Sequence, residues 1–248
     1  MTIDSAPEHP YCQGSKEVRT MGESENGPEE GGRLLKAVQA VAISPADARQ
    51  VVAGYRLQGR RRGMSEAATQ QFVAERIVAR YAKLAATSGA TTALTGVIPG
   101  IGTAAALVGG GAVDTVVSIK LQVDMCMCLA DAFGHDVTSQ DAQHLSYVVA
   151  LGGALEQAGR EVAVKVGSKA GVRIVRQYLK GATLIAIKEL FRRIGIVFTR
   201  KALERAIPFG VGVVVGGSTN YVLTKYVGNR AREFFATDAE MRAEGDVD

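Results

Sequence analysis

The chain of 248 residues contains no tryptophan, and aromatic residues make up only 6% of it. Large rings therefore cannot dominate the core, whereas 29 glycines favour helices that approach one another closely. The chain also has only 6 prolines and almost no Asn-Gly or Asp-Gly pairs, which argues against an all-β protein. These scarcities, together with 47% apolar residues, predict an all-α protein with a substantial core.

Cysteine is also scarce, with Cys12, Cys126 and Cys128 as the only three. An odd number of cysteines, and a beginning without an apolar signal region, predict a cytoplasmic protein. Cys126 and Cys128 are two positions apart on a predicted helix, so their side chains point about 200° apart and cannot bind one metal ion together. The three histidines are scattered singly, and we expect neither a metal site nor a cofactor.

Recognisable catalytic motifs are missing as well. The chain contains no G-x-x-x-x-G-K-[ST] phosphate-binding loop, and Ser146 and His144 do not lie in a G-x-S-x-G turn. The sequence therefore favours a protein that is not an enzyme.

Charge is unevenly distributed along the chain. Residues 1–32 carry 2 basic and 7 acidic groups, residues 238–248 carry 1 and 5, and residues 33–237 carry 26 and 13. The sequence predicts a disordered acidic tail over 1–32, one helical domain over 33–237 and an acidic polar tail over 238–248. A basic body suits an anionic lipid surface or a nucleic acid.

The longest uncharged stretch spans residues 84–113, with Pro99-Gly100 at its middle. It predicts a glycine-rich helical hairpin whose second arm continues to Phe133, and a second apolar helix is expected over about 208–235. A multi-helix bundle would form around these elements. The hairpin could be buried core or could dip into a bilayer, since each arm of about 15 residues is roughly 22 Å long against a hydrocarbon core of ~30 Å.

Local signals mark several helix ends. Ser44-Pro45 and Ser65 are typical of helix starts, and a short helix is expected over 33–43. Gly134 is typical of a helix stop, and Thr138 with Asp141 resembles a capping box.

A narrow polar stripe is predicted on the second arm, where Asp114, Ser118 and Gln122 recur at helical spacing within apolar surface. Asn220 follows Pro208 much as Asp114 follows Pro99, so these two residues could face the same interior layer. The stripe could hold a ligand, an ion or a proton, or it could pin helices together through a buried Asp114. Lys120, Asp124 and Asp131 share another face, which we expect to be solvated.

Six arginines are candidates for contact with anionic lipid. They lie in a dense run on one predicted helix and in a pair on another: Arg56, Arg60, Arg61, Arg62, Arg192 and Arg193.

The segments IPGIGTAAALVGGGAVDTVVSIKLQVDMCMCLADAFGHDV and ALERAIPFGVGVVVGGSTNYVLTKYVGNRAREFF resemble the EcsC family of bacterial proteins, over about residues 65–235. The first half also resembles a helical domain appended to some Era-like GTPases, but no GTP-binding motif is present here. The resemblance implies a helical, membrane-proximal protein linked to transport or secretion. The matching positions are Pro99, Asp114, Gln122, Gly134, Pro208, Gly216, Gly217, Asn220, Gly228 and Ala231.

Two functions follow as expectations. The first is a non-enzymatic protein at the cytoplasmic membrane face, peripheral or partly inserted, that binds anionic lipid and a membrane-protein partner. The second is a soluble helical protein with an apolar cavity for a lipid-like ligand, anchored by Asp114 and Gln122. Nucleic-acid binding is a weaker reading, because the basic residues are spread over several helices without interleaved aromatics.

Overall fold

The computed structural model describes residues 27–87, 101–108, 113–158, 165–180, 183–205 and 212–245. Within these ranges the chain forms helices and no strands, which confirms the all-α prediction. The helices are α1 (Gly27–Val41), α2 (Pro45–Arg61), α3 (Glu66–Thr87), α4 (Ile101–Val108), α5 (Val113–Ala132), α6 (Gln140–Gln157), α7 (Lys169–Lys180), α8 (Thr183–Arg205) and α9 (Gly212–Ala243).

Helix α5 forms the centre of the bundle. Residues 121–130 are all buried, so the helix has no solvent-facing stripe in this part. It packs against α1, α2, α3, α4, α6 and α9. A helix that is buried on every side needs apolar residues all round, which explains why α5 lacks the one-sided pattern of a surface helix. Within the described residues, α5 is therefore the helix around which the others pack.

The longest helix, α9, runs along α3, α5, α6 and α7. Its 32 residues correspond to a length of about 48 Å. Gly228 lies where α9 approaches both α3 and α5, because a Cβ at this position would lie 2.8 Å from Val78 Cγ1 and 2.8 Å from Met125 Sδ. A glycine here permits the close approach of three helices.

Several predicted helix ends are confirmed. Ser44 caps α2 by accepting a hydrogen bond from Asp47 N at 3.1 Å, and Pro45 is the first helical residue. The Ser65 hydroxyl accepts from Ala68 N at 3.3 Å at the start of α3. Gly134, with φ of 85°, ends α5 in a Schellman arrangement, since its N–H donates to Asp131 O and the following N–H to Ala130 O.

The predicted capping box at the start of α6 is wrong, because the N-cap lies one residue later than Thr138. Ser139, not Thr138, accepts from Ala142 N at 3.2 Å. The Thr138 hydroxyl instead donates to Asp136 Oδ1 at 2.6 Å within the preceding turn. The carboxylate two residues earlier competes for Thr138 and leaves the cap to its neighbour.

The boundary of the predicted N-terminal tail is wrong, because α1 already begins at Gly27 and not near residue 33. Gly27, Gly31 and Gly32 of the predicted tail lie inside this helix. A Cβ on Gly31 would collide with the carbonyl oxygen of Lys188 on α8. Gly31 is therefore a close-contact residue between α1 and α8, and the helix is stabilised by the packing that follows, since Leu34, Leu35 and Val38 are buried.

The C-terminal tail is also shorter than predicted. Helix α9 continues to Ala243, and both Asp238 and Met241 are fully buried within it. The sequence composition of 238–248 is polar and acidic, but Asp238 pairs with Arg176 on α7 and with His135 in the turn after α5, and the local sequence does not reveal these distant partners.

The predicted hairpin is not supported by the described residues. Residues 88–100, which include its tip, lie outside them, as do Gly109, Gly110, Gly111 and Pro208. The described part of the second arm consists of α4 and α5, and α4 packs chiefly against α1. Helix α3 packs against α9, α2 and α5.

Candidate functional site

The predicted polar stripe on α5 runs from the surface into the core. Asp114 is exposed, Ser118 is half-buried and Gln122 is only 1% exposed. Asn220 is half-buried on α9, and no hydrogen bond joins the side chains of Asp114 and Asn220, both of which the structure describes. Partial desolvation raises the pKa of Asp114. The interpretation of Asp114 as a buried pin is wrong, because the first turn of α5 reaches the surface.

Gln122 is the unusual member of this stripe. Neither its Nε2 nor its Oε1 has a hydrogen-bond partner among the described residues. A buried amide without partners costs free energy of folding. At Gln122, a water molecule or a polar group of a ligand would have both a hydrogen-bond donor, Nε2, and an acceptor, Oε1, available to it.

The prediction that Lys120 and Asp124 lie on a solvated face of α5 is wrong. Asp124 is 2% exposed; its Oδ2 accepts from Lys120 Nζ, and its Oδ1 accepts from the backbone N–H of Ile43 at 2.8 Å. Burial raises the pKa of the Asp124 carboxyl, opposed by Lys120 and the Ile43 N–H. The segment between α1 and α2 covers this face of α5, and the hydrogen bond from Ile43 to Asp124 holds that segment in place.

Two cysteines lie buried on α5 near this ion pair. Burial raises the pKa of Cys128 to about 12 and also raises the pKa of Cys126, so both stay protonated at neutral pH. Cys128 Sγ lies 3.6 Å from the hydroxyl of Tyr81. Protonated, buried thiols are inert as nucleophiles, and the described residues contain no group arranged to hold a metal ion.

Asp238 is the centre of a second buried cluster, which joins α9 to α7 and to the turn after α5. Its Oδ1 accepts from Arg176 Nε at 2.6 Å, and its Oδ2 lies 3.0 Å from both His135 Nε2 and Arg242 Nε. Burial opposes ionisation of Asp238, but the hydrogen bonds from His135 and Arg176 hold its pKa well below the usual range. This cluster anchors α7, and sequence reasoning missed it.

The six predicted lipid-binding arginines do not form one surface. Arg56 is half-buried and donates to the carbonyl oxygens of Asp131 and Ala132 at 2.9 and 3.3 Å, so it caps the end of α5. The remaining members of the run, Arg60, Arg61 and Arg62, are exposed, and Arg62 also lies 4.9 Å from the ring of Phe72.

The second arginine pair lies on α8 and shares one carboxylate. Arg192 binds Glu189 through two hydrogen bonds of 2.8 and 2.7 Å, and Arg193 binds it at 2.9 Å. Hydrogen bonds from these arginines lower the pKa of Glu189 to about 2. Helix α8 packs against α1 and α6, whereas α2 packs against α3 and α5, so the two arginine groups belong to different parts of the bundle.

A patch of exposed apolar side chains lies on α7 and the beginning of α8. Ile174 is 49% exposed, Tyr178 37%, Leu184 50% and Ile185 71%. The Tyr178 hydroxyl donates to the carbonyl oxygen of Ala186 at 3.1 Å, which holds the two helices together at this point. We call these four residues the α7–α8 patch.

Several basic residues lie close to the α7–α8 patch along its two helices. Arg173 and Lys180 are exposed on α7, and Lys188 lies on α8 one turn after Leu184 and Ile185. The opposite side of α7 is fixed to the protein, because Val172 and Val175 are buried and Arg176 binds Asp238. The sequence signal for this arrangement is the separation of apolar and basic residues along α7, which predicts a basic face but not the exposed apolar edge.

An open groove between α1 and α8 begins beside Ile185. Its volume is about 660 Å³. The groove is lined by Glu29, Gly32, Arg33, Lys36, Ile185, Lys188 and Glu189. The α7–α8 patch is thus continuous with a groove that contains three basic side chains.

A smaller cavity lies between α1, α4, α5 and α8. It has a volume of about 140 Å³ and is lined by apolar Leu34, Leu107 and Phe191 together with polar groups that include Thr115 and Arg192. This volume is close to that of an engineered cavity of about 150 Å³ that holds benzene, and it is too small for an acyl chain. The soluble, cavity-binding alternative therefore stays a prediction, and this cavity is too small to hold the ligand that it requires.

The helical architecture and these sites define an all-α protein whose described surface combines an apolar patch with basic residues. The EcsC protein family matches residues 62–237, which is most of the chain. The protein therefore belongs to the EcsC family, as the sequence resemblance predicts. No curated protein and no solved structure shows significant similarity to it.

The family match begins after α2 and covers the α7–α8 patch. Helix α1, which supplies one wall of the groove, lies outside the matched residues. Among the described residues, no helix combines the length and the apolar character needed to cross a bilayer.

Proposed function

We propose that this protein is a non-enzymatic binding component that associates with the anionic surface of the cytoplasmic membrane through the α7–α8 patch. The observation that carries the proposal is the exposure of Ile174, Tyr178, Leu184 and Ile185 on two adjoining helices. Full burial of an apolar side chain is worth about 1.5–3 kcal/mol, so four half-exposed side chains would supply several kcal/mol on entering the bilayer interface.

Electrostatic attraction would also turn the α7–α8 patch toward the membrane. Lys180 and Lys188 lie near the patch, and a basic residue near an anionic membrane contributes about 1 kcal/mol. An apolar contact combined with basic residues is the usual arrangement for a protein that lies on a membrane without crossing it. By family resemblance, we further propose that its partner is a membrane protein linked to transport or secretion.

Tryptophan fluorescence tests the proposal, because the chain contains no tryptophan of its own. Ile185→Trp places a single reporter in the patch. Vesicles of phosphatidylglycerol and phosphatidylcholine should shift its emission to shorter wavelength, and high salt should weaken the shift. Leu57→Trp on α2 is the matched control, since Leu57 is 50% exposed but lies outside the patch.

The emission of Leu57→Trp should stay the same with and without vesicles. The proposal is overturned when Ile185→Trp shows no shift in the presence of the anionic vesicles, or when the two reporters shift equally. Flotation of the unmodified protein with the same vesicles provides an independent readout of binding.

A further inference from the structure

We infer that the groove between α1 and α8 receives the phosphate-bearing headgroup of an anionic phospholipid while the α7–α8 patch contacts the bilayer. This inference rests on the proposed membrane association and assigns a specific ligand site within it. Arg33 and Lys36 are exposed on α1, one turn apart, and Lys188 is exposed on α8 across the groove.

The groove lies beside a point at which α1 and α8 approach closely. At Gly31 the backbone of α1 lies against the Lys188 carbonyl, and a Cβ there would lie only 3.1 Å from Arg192 Cβ. Gly32, the next residue, lines the groove. The resulting volume of about 660 Å³ lies within the range of ordinary ligand sites, which is about 300–1,000 Å³.

The charge inside the groove favours an anion. The carboxylate of Glu189 is already bound by Arg192 and Arg193, so it does not oppose the three basic side chains at full strength. Glu29 is the other acidic residue of the lining and lies in the first turn of α1. Arg33, Lys36 and Lys188 form no ion pair within the described residues, and their charges are therefore available to a ligand.

The position of Ile185 indicates an amphipathic ligand. This side chain is 71% exposed and belongs both to the lining of the groove and to the α7–α8 patch. A soluble anion would gain nothing from an apolar group at the rim of its site. A phospholipid in a bilayer meets both requirements, because its phosphate would face the lysines and its acyl region would face Ile185 and Leu184.

Flotation with vesicles of defined composition tests the inference. The double variant Lys36→Gln/Lys188→Gln should bind phosphatidylglycerol vesicles at least about tenfold more weakly than the unmodified protein. The matched control Arg60→Gln/Arg61→Gln removes the same charge from exposed positions on α2 and should weaken binding by less than about threefold. Lys36→Arg/Lys188→Arg keeps the charge and should retain binding, and circular dichroism should show equal helix content for all variants.

The outcomes separate the two proposals. When the unmodified protein does not float with anionic vesicles, the membrane function itself is wrong. When it floats but the Lys36/Lys188 and Arg60/Arg61 variants weaken equally, membrane association stands and the headgroup groove is wrong, since binding then depends only on net charge.

Discussion

The Nε atom of Arg176 lies 2.6 Å from Oδ1 of Asp238, and this contact joins α7 to α9 at a carboxylate without exposed surface. Helix α7 carries half of the α7–α8 patch, so its position depends on this anchor. His135 and Arg242 complete the cluster around the other carboxylate oxygen. A residue in the predicted polar tail thus fixes the helix on which the proposed function depends.

Asp238→Asn should lower the free energy of unfolding by about 1.5–3 kcal/mol, because it removes the buried negative charge that accepts hydrogen bonds from the partly exposed Arg176 and Arg242. Urea unfolding at neutral pH measures the loss. Glu244→Gln is the matched control, since Glu244 pairs with Lys169 at 3.2 Å but both side chains are more than half exposed. Its effect should stay below about 1 kcal/mol. Equal effects of the two substitutions would show that burial does not strengthen the Asp238 pair.

Acid should weaken this anchor. The pKa of Asp238 in the folded protein lies below its value in the unfolded chain, which is about 3.9. The ionised carboxylate therefore stabilises the fold in full above this unfolded value, and the contribution is lost as the pH falls toward the folded pKa. Between about pH 5 and pH 3, urea midpoints of the unmodified protein should fall more steeply than those of Asp238→Asn. Parallel slopes would contradict a depressed pKa.

Gln122→Met should stabilise the protein by about 1–2 kcal/mol, because methionine has a similar shape and removes a buried amide that has no partner among the described residues. Thermal or urea unfolding measures the change. Gln143→Met is the control: the Gln143 amide donates to Val137 O at 3.2 Å, so this substitution should cost stability. Destabilisation by Gln122→Met would mean that the native amide has a binding partner.

Local sequence signals predicted the helix ends well. Ser44-Pro45 and Gly134 act through backbone hydrogen bonds within a few residues, so their effect can be read from neighbouring residues alone. The same holds for the all-α fold, which follows from composition and helical spacing. Thr138 shows the limit of such signals, because the nearby Asp136 changed which residue caps α6.

Contacts between distant residues could not be predicted in the same way. The position of Asp124 on its helix, on one face with Lys120 and Asp131, predicted a solvated carboxylate. The N–H of Ile43, 81 positions away in sequence, instead binds Asp124 in the core. Arg56 stands in a basic run that suggests a lipid surface, yet it binds the end of α5. In each case the chemistry of the side chain was known from the sequence and its partner was not.

Gly228 and Gly54 both lie within helices, but only Gly228 lies in close contact with neighbouring helices. Gly228→Ala should lower the free energy of unfolding by about 1–3 kcal/mol, because the new Cβ would lie 2.8 Å from Val78 Cγ1 and from Met125 Sδ. Gly54→Ala on α2 should raise it by about 0.5–1 kcal/mol, since nothing lies within 4 Å of the new Cβ and alanine favours the helix. Urea unfolding of the two variants should therefore give changes of opposite sign. A shared sign would show that α9 can shift away from α3 and α5 at little cost, and that Gly228 is not required for their close packing.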